Sequence, residues 1–148
     1  GLLLSQSDDE IRSRVLGYLQ QLPDAVGANN HMGSGFTEQR HKMRVVLEVL
    51  QERGLFFLDS ITTPQTTGLK VAAELQMRHA RRHVFLDTEQ QETYIRGQLE
   101  QAVSRAQKFG YAVAIGHPHP MTIEVLAKVL PELQKQGISL VPVSSLAH

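Results

Sequence analysis

The sequence predicts an α/β fold with parallel strands. Five short apolar runs alternate with five stretches in which apolar residues recur at helical spacing. The run 55–58 is apolar at every position, as in strands that are covered on both faces. Such alternation favours parallel strands joined by right-handed crossover helices.

The first half of the chain predicts two helices and two strands. Ser7 and Glu10 form a capping box, after which apolar residues follow at helical spacing until Pro23 ends the helix. Thr37 is predicted to cap the second helix and Gly54 to end it. The strands are predicted at 25–28 and 55–58, with a loop at 30–35.

The second half predicts three helices and three strands. The helices are predicted at 68–77, from Thr88 towards Gly110, and from Pro120 to Gly137. The strands are predicted at 84–86, 112–115 and 138–141, and the basic segment 78–83 is predicted to be a solvated loop. Because the pattern begins with a helix, the five strands form either an open sheet or part of a larger barrel.

Composition narrows the class of protein. The 148 residues predict a single domain, with 41% hydrophobic and 20% charged residues. Fifteen basic residues balance fifteen acidic ones, so charge provides no drive towards nucleic acid. The absence of cysteine excludes disulfides, a Cys nucleophile and thiolate zinc sites. No apolar stretch approaches the ~20 residues of a membrane span.

Histidines follow two of the predicted strands. His31 comes after Asn29 and Asn30, which could orient it or bind substrate, while His117 and His119 flank a proline in a stiff turn. A neutral imidazole at the C-terminal end of a strand can hold a divalent metal. The alternative is a capping loop with an incidental histidine.

Acidic residues follow two other strands. Asp59 is a candidate metal ligand, base or orienter of a histidine, and Asp87 precedes a predicted helix. The alternatives are a cap for the next turn and a helix N-terminal carboxylate. Ser34 lies between two glycines without the context of a nucleophile elbow, and no phosphate-binding glycine motif occurs.

Four motifs, in this order, closely resemble the divergent polysaccharide deacetylases, and the resemblance extends from about residue 7 to 146. They are Val26-Gly27-Ala28-Asn29-Asn30-His31-Met32-Gly33-Ser34, Phe57-Leu58-Asp59-Ser60, Val84-Phe85-Leu86-Asp87 and Ala114-Ile115-Gly116-His117-Pro118-His119-Pro120. The resemblance implies an irregular NodB-like (β/α) barrel with catalysis at the C-terminal strand edge. It also implies removal of N- or O-acetyl groups from carbohydrate substrates such as peptidoglycan.

Site roles are carried over by the resemblance. It implies that His31 binds a divalent metal such as zinc, that His117 protonates the leaving amine, and that Asp59 is a further catalytic residue. Asp59 and Asp87 would shape the cleft or orient a histidine. The implied substrate-binding set is Asn29, Asn30, Ser34, Asp87 and His119, although the resemblance defines no specific role for His119.

The chain departs from the family pattern in two places. An opening strand with paired aspartates and an upstream histidine motif have no counterpart, so the chain is expected to lack the N-terminal strands and the remaining metal ligands. Gly35 stands where the family leads us to expect Lys or Arg. The implied location is periplasmic or secreted, with the cytoplasm as the alternative, and no feature indicates an oligomeric state.

Two other functions compete with hydrolysis of acetyl groups. One is a catalytically inactive carbohydrate-binding protein of the cell envelope, although the chain has no Trp and only three Tyr for sugar platforms. The other is a metal-dependent hydrolase of phosphoesters, which requires a basic clamp from Arg81 or Arg82. The enzymatic hypothesis depends on His31 and His117 lining one solvent-accessible hollow.

Overall fold

The computed structural model describes residues 1–148. Its helices alternate with parallel strands, which confirms the predicted fold class. The six α-helices are α1 (Asp8–Gln21), α2 (Ser34–Thr37), α3 (Arg40–Glu52), α4 (Gly68–Glu74), α5 (Glu92–Phe109) and α6 (Pro120–Lys135). The five strands are β1 (Gly27–Asn29), β2 (Phe56–Asp59), β3 (His79–Arg81), β4 (Val84–Phe85) and β5 (Ala114–Ile115). None of the helices has both the length and the apolar character that crossing a bilayer requires.

The chain divides into two compact units. The first comprises Gly1–Arg81 with Ser144–His148, and the second comprises Arg82–Val143. The first contains a parallel sheet in the order β1-β2-β3, and the second a parallel pair, β4-β5. No closed barrel forms from these strands. The single domain expected from chain length stays a prediction.

The core of the first unit lies between its sheet and helices α1, α3 and α4. Ile11, Leu47 and Val71 have no exposed surface, and Phe57 of β2 packs against the same cluster. The predicted capping box is present at the start of α1, where the Glu10 carboxylate accepts from the Ser7 amide at 2.6 Å. Ile11 of α1 and Leu47 of α3 thus lie on the buried faces that apolar periodicity predicts.

The second unit has a smaller core between β4, α5 and α6. Ile95 of α5 has no exposed surface, and Val125 of α6 is 1% exposed. Gly110 ends α5 with a left-handed backbone, φ 88°, as the sequence predicts. This packing places the first turn of α6 beside the C-terminal ends of β4 and β5, where Asp87 and His117 lie.

Several predicted elements and boundaries are wrong, including the start of α5, which begins at Glu92 and not at Thr88. Residues 138–141 form no strand, and Leu140 and Val141 are exposed. Thr37 belongs to the short helix α2, while Gln39 precedes α3 without a side-chain cap. The predicted loop 78–83 contains β3, whose central Ala80 is buried against β2. The sequence pattern did not indicate this strand, because only one of its three side chains points inward and its neighbours are charged.

The chain terminus covers the free edge of β3. The backbones of His79 and His148 exchange two hydrogen bonds, with N···O distances of 3.1 and 3.2 Å. The Arg78 guanidinium also donates to the carbonyls of Ser144 and Ala147. The last residues therefore satisfy edge groups that would otherwise face solvent.

Gly27 of β1 lies directly beneath the Phe56 ring of β2, and a Cβ at this position would overlap that ring. We expect Gly27→Ala to lower the free energy of unfolding by about 1–3 kcal/mol, because a buried ring would have to shift. Gly17→Ala is the control, since its Cβ meets nothing within 4 Å on α1, and it should raise stability by ~0.5–1 kcal/mol. Urea unfolding measures both, and equal effects would contradict the packing.

Candidate functional site

Asp87 and His117 meet beyond the ends of neighbouring strands in the second unit. Phe85 pairs with Ile115 in the parallel register of β4 and β5, so the residues two positions further on become neighbours. Asp87 Oδ1 lies 3.1 Å from His117 Nδ1, and Asp87 Oδ2 accepts from the His117 amide at 2.6 Å. One carboxylate thus holds both the ring and the backbone of one histidine.

Burial and hydrogen bonding act on the Asp87 carboxyl in opposite directions. Its side chain has no exposed surface, and burial alone raises its pKa. The His117 amide, the Thr122 hydroxyl and the His117 ring outweigh burial, so the pKa stays below its usual value. An ionised carboxylate only accepts, so Nδ1 of His117 carries the proton of this hydrogen bond.

Thr122 is a site residue that the sequence reasoning missed. It lies in the first turn of α6, is 1% exposed, and donates to Asp87 Oδ2 at 2.9 Å. The available signal was a hydroxyl on the apolar stripe that also carries Val125 and Val129. The lack of a side chain at Gly116 lets its backbone lie close to Asp87, because a Cβ there would be 3.2 Å from Asp87 Oδ2.

His119 completes a group of possible metal ligands. Asp87, His117 and His119 each offer one ligand atom, and these atoms lie within 4.8 Å of one another. The rings of His117 and His119 have centroids 5.4 Å apart, and His119 is exposed at the start of α6. Two imidazole nitrogens and a carboxylate oxygen are a donor set that divalent transition metals accept.

The lowered pKa of Asp87 predicts an acid-sensitive contribution to stability. A carboxyl with a depressed folded pKa stabilises the protein above its unfolded value of 3.8, and that contribution disappears as pH falls through the folded pKa. We expect Asp87→Asn to lose less thermal stability than the parent between pH 6 and pH 2.5. Thermal unfolding followed by circular dichroism measures the difference, and parallel losses in both proteins would contradict it.

In the first unit, Asn29 and Asn30 connect the ends of β1 and β2. Asn29 Nδ2 donates to Ser60 Oγ at 3.1 Å, and Asn30 Oδ1 accepts from the Ser60 amide at 2.8 Å. Ser60 is 3% exposed, whereas Asn30 is half-buried and Asn29 is exposed. The contacts give the two asparagines a positioning role, and their contact with substrate stays a prediction.

The loop that carries His31 is held in a constrained conformation. Met32 and Ile61 have left-handed backbones, with φ of 55° and 48°, which is uncommon for residues other than glycine. Ser34 Oγ donates to the Thr62 carbonyl at 3.1 Å, so the loops after β1 and β2 are tied together. His31 is exposed on this scaffold. Its role as a metal ligand stays a prediction.

Asp59 lies at the end of β2 with no exposed surface. Its Oδ1 accepts from the Ile61 amide and its Oδ2 from the Thr66 hydroxyl, both at 2.8 Å. A Cβ on Gly68 would come within 2.6 Å of Oδ2, so the helix start packs closely over the carboxylate. These contacts are those expected from the alternative role of Asp59, in which it caps the turn that follows β2. The catalytic role of Asp59 stays a prediction.

Comparison with known proteins assigns the family. The sequence profile described as "Divergent polysaccharide deacetylase" matches residues 1–147, nearly the whole chain. The chain belongs to the divergent polysaccharide deacetylase family. This confirms the family that the four sequence motifs resemble, and both the His31 loop and the Asp87–His117 pair lie within the matched region.

Several proteins are similar to this member of the divergent polysaccharide deacetylases. Uncharacterized protein YibQ of Escherichia coli K12 is 40% identical over 142 residues, covering 96% of this chain and 44% of that protein. An uncharacterized protein of Haemophilus influenzae Rd is 40% identical over 146 residues, covering 99% and 52%. The chain therefore spans about half the length of these curated relatives.

A solved structure shares the fold. The crystal structure of uncharacterized protein ATU2773 from Agrobacterium tumefaciens C58 matches with a TM-score of 0.80 and 26% sequence identity. The match covers 82% of this chain and 49% of the other. It supports the mixed α/β architecture with parallel strands.

Proposed function

We propose that the protein is a metal-dependent hydrolase that removes acetyl groups from polysaccharide or peptidoglycan-type sugars. The family supports this class of substrate. The observation that carries the proposal is the contact between the buried carboxylate of Asp87 and the half-buried ring of His117. A histidine held in one orientation by a carboxylate is the arrangement that general acid–base catalysis requires.

His117 is proposed to transfer the proton that the leaving group needs. Asp87 accepts from Nδ1, and Nε2 is the nitrogen proposed to carry a proton to the sugar amine or hydroxyl. Phe85 lies against the ring, with centroids 5.5 Å apart, and limits its rotation on one side.

The second unit fits a divalent cation. The fit rests on the donor chemistry of the cluster formed by Asp87, His117 and His119. Three hydrogen bonds already reach Asp87 and His117 is assigned the proton transfer, so His119 is the proposed ligand of this cluster. When bound, a zinc-like ion polarises an acetyl carbonyl and lowers the pKa of its water to about 7. In the first unit, His31 is proposed separately as a metal ligand, because it follows β1 in the motif that resembles the family.

Metal analysis tests which histidines hold the ion. We expect His119→Ala to weaken zinc binding at least about tenfold, measured by competition with a chromophoric chelator. His41→Ala is the control, because His41 is an exposed histidine of α3 paired with Asp8. Unchanged zinc affinity in His119→Ala would remove this residue from the metal site.

Release of acetate from acetylated chitin and peptidoglycan oligosaccharides, measured by mass spectrometry, tests the activity itself. Turnover that requires added metal supports the hydrolase. Saturable sugar binding without acetate release supports instead the catalytically inactive cell-envelope protein. A periplasmic or secreted location is part of the proposal, because such polymers lie outside the cytoplasm.

A further inference from the structure

An apolar pocket of about 290 Å³ opens in the first unit beside the His31 loop. Its walls come from α1, α3 and β1, through side chains that include Val15, Leu19, Val46 and Leu50. Ligand pockets in proteins start near ~300 Å³ and are mostly apolar. Asp87 and His117 do not line this pocket, whereas Asn29, Asn30 and His31, the predicted substrate and metal residues of the first unit, do.

Polar side chains also line the pocket, namely Tyr18, Thr37, Asn29, Asn30 and His31. Asn30 Nδ2 is buried and makes no hydrogen bond, so one lining residue carries a donor without an acceptor. A ligand that matches both the apolar walls and this donor has a hydrocarbon tail and an oxygen-bearing head.

We propose that this pocket binds an acyl chain, with the tail between α1 and α3 and the carbonyl or carboxylate head beside His31. Water against apolar walls is unfavourable, and a hydrocarbon chain removes that contact. Tyr18 and Met32 are exposed and line the pocket, and both are suited to contact with a flexible chain. The acyl site shares His31 with the proposed function but uses neither Asp87 nor His117.

A series of straight-chain carboxylates tests the proposal. Hexanoate, octanoate and decanoate, each below its micelle concentration, are titrated into the intact chain by calorimetry. We expect affinity to rise by about fourfold per methylene, which corresponds to ~0.8 kcal/mol per buried CH₂. His31→Ala should weaken all three ligands by a similar factor and leave the gain per methylene unchanged.

Val46→Phe fills the pocket and should lower decanoate affinity at least tenfold. Val26→Phe is the matched control, because Val26 is 66% exposed and does not line the pocket, and it should bind as the parent does. Thermal unfolding checks that both variants fold. If Val46→Phe folds poorly, displacement of decanoate by octanoate on the parent supplies the test. No saturable binding, equal binding by both variants, or self-association that Val46→Phe alone abolishes would overturn the acyl site.

Discussion

His117→Ala is expected to reduce acetate release by about 10²–10⁴-fold, the range for loss of one acid–base group. The reason is geometric, because Asp87 accepts hydrogen bonds from both the amide and the ring of His117 and so orients the ring. The measurement is kcat/KM on a defined acetylated oligosaccharide at saturating zinc. Near-parental turnover would remove His117 from the mechanism.

Metal content separates the two roles open to His117. An acid that holds no metal loses rate while zinc affinity stays at the parental value, whereas a ligand loses both. Thr122→Val tests the support of the pair, because it removes one donor to Asp87 and keeps the shape of the side chain. It should lower the rate less than His117→Ala does and shift the pH–rate profile, an effect that a purely structural role would not produce.

Asp59→Ala is expected to cause the largest loss of stability, about 2–5 kcal/mol in free energy of unfolding. The carboxylate is fully buried, and its removal leaves the Ile61 amide and the Thr66 hydroxyl without their acceptor. The cavity left beneath Gly68 adds to this cost. Urea unfolding with a fixed m-value measures the change.

Asp24→Ala is the control for Asp59→Ala, since Asp24 is exposed in the turn after α1 and should change stability by less than ~0.5 kcal/mol. Asp59→Asn keeps the shape and retains one acceptor oxygen, so its loss should be intermediate. A catalytic Asp59 would instead show a rate loss in Asp59→Asn at temperatures where the variant is fully folded. Equal stability of Asp59→Ala and the parent would contradict the structural role.

Local patterns predicted the elements that have strong signals. The capping box at Ser7 located the start of α1, and the continuous apolar run before Asp59 located β2. Local patterns did not predict β3, in which Ala80 is the only inward residue. They wrongly predicted a strand at 138–141, where the apolar residues pair with no other strand. A strand exists only when a neighbour accepts its hydrogen bonds, and local sequence does not contain that partner.

The sequence by itself determined the alternating α/β class, the family, and the position of Asp87 and His117 just beyond strand ends. Only the tertiary structure decided what these groups do there, because strand register and helix packing select hydrogen-bond partners far apart in the chain. Register placed His117 against Asp87 across 30 residues, and packing of α6 brought Thr122 to the same carboxylate. The same physics enclosed Asp59 completely, with Thr66 and an amide as its partners.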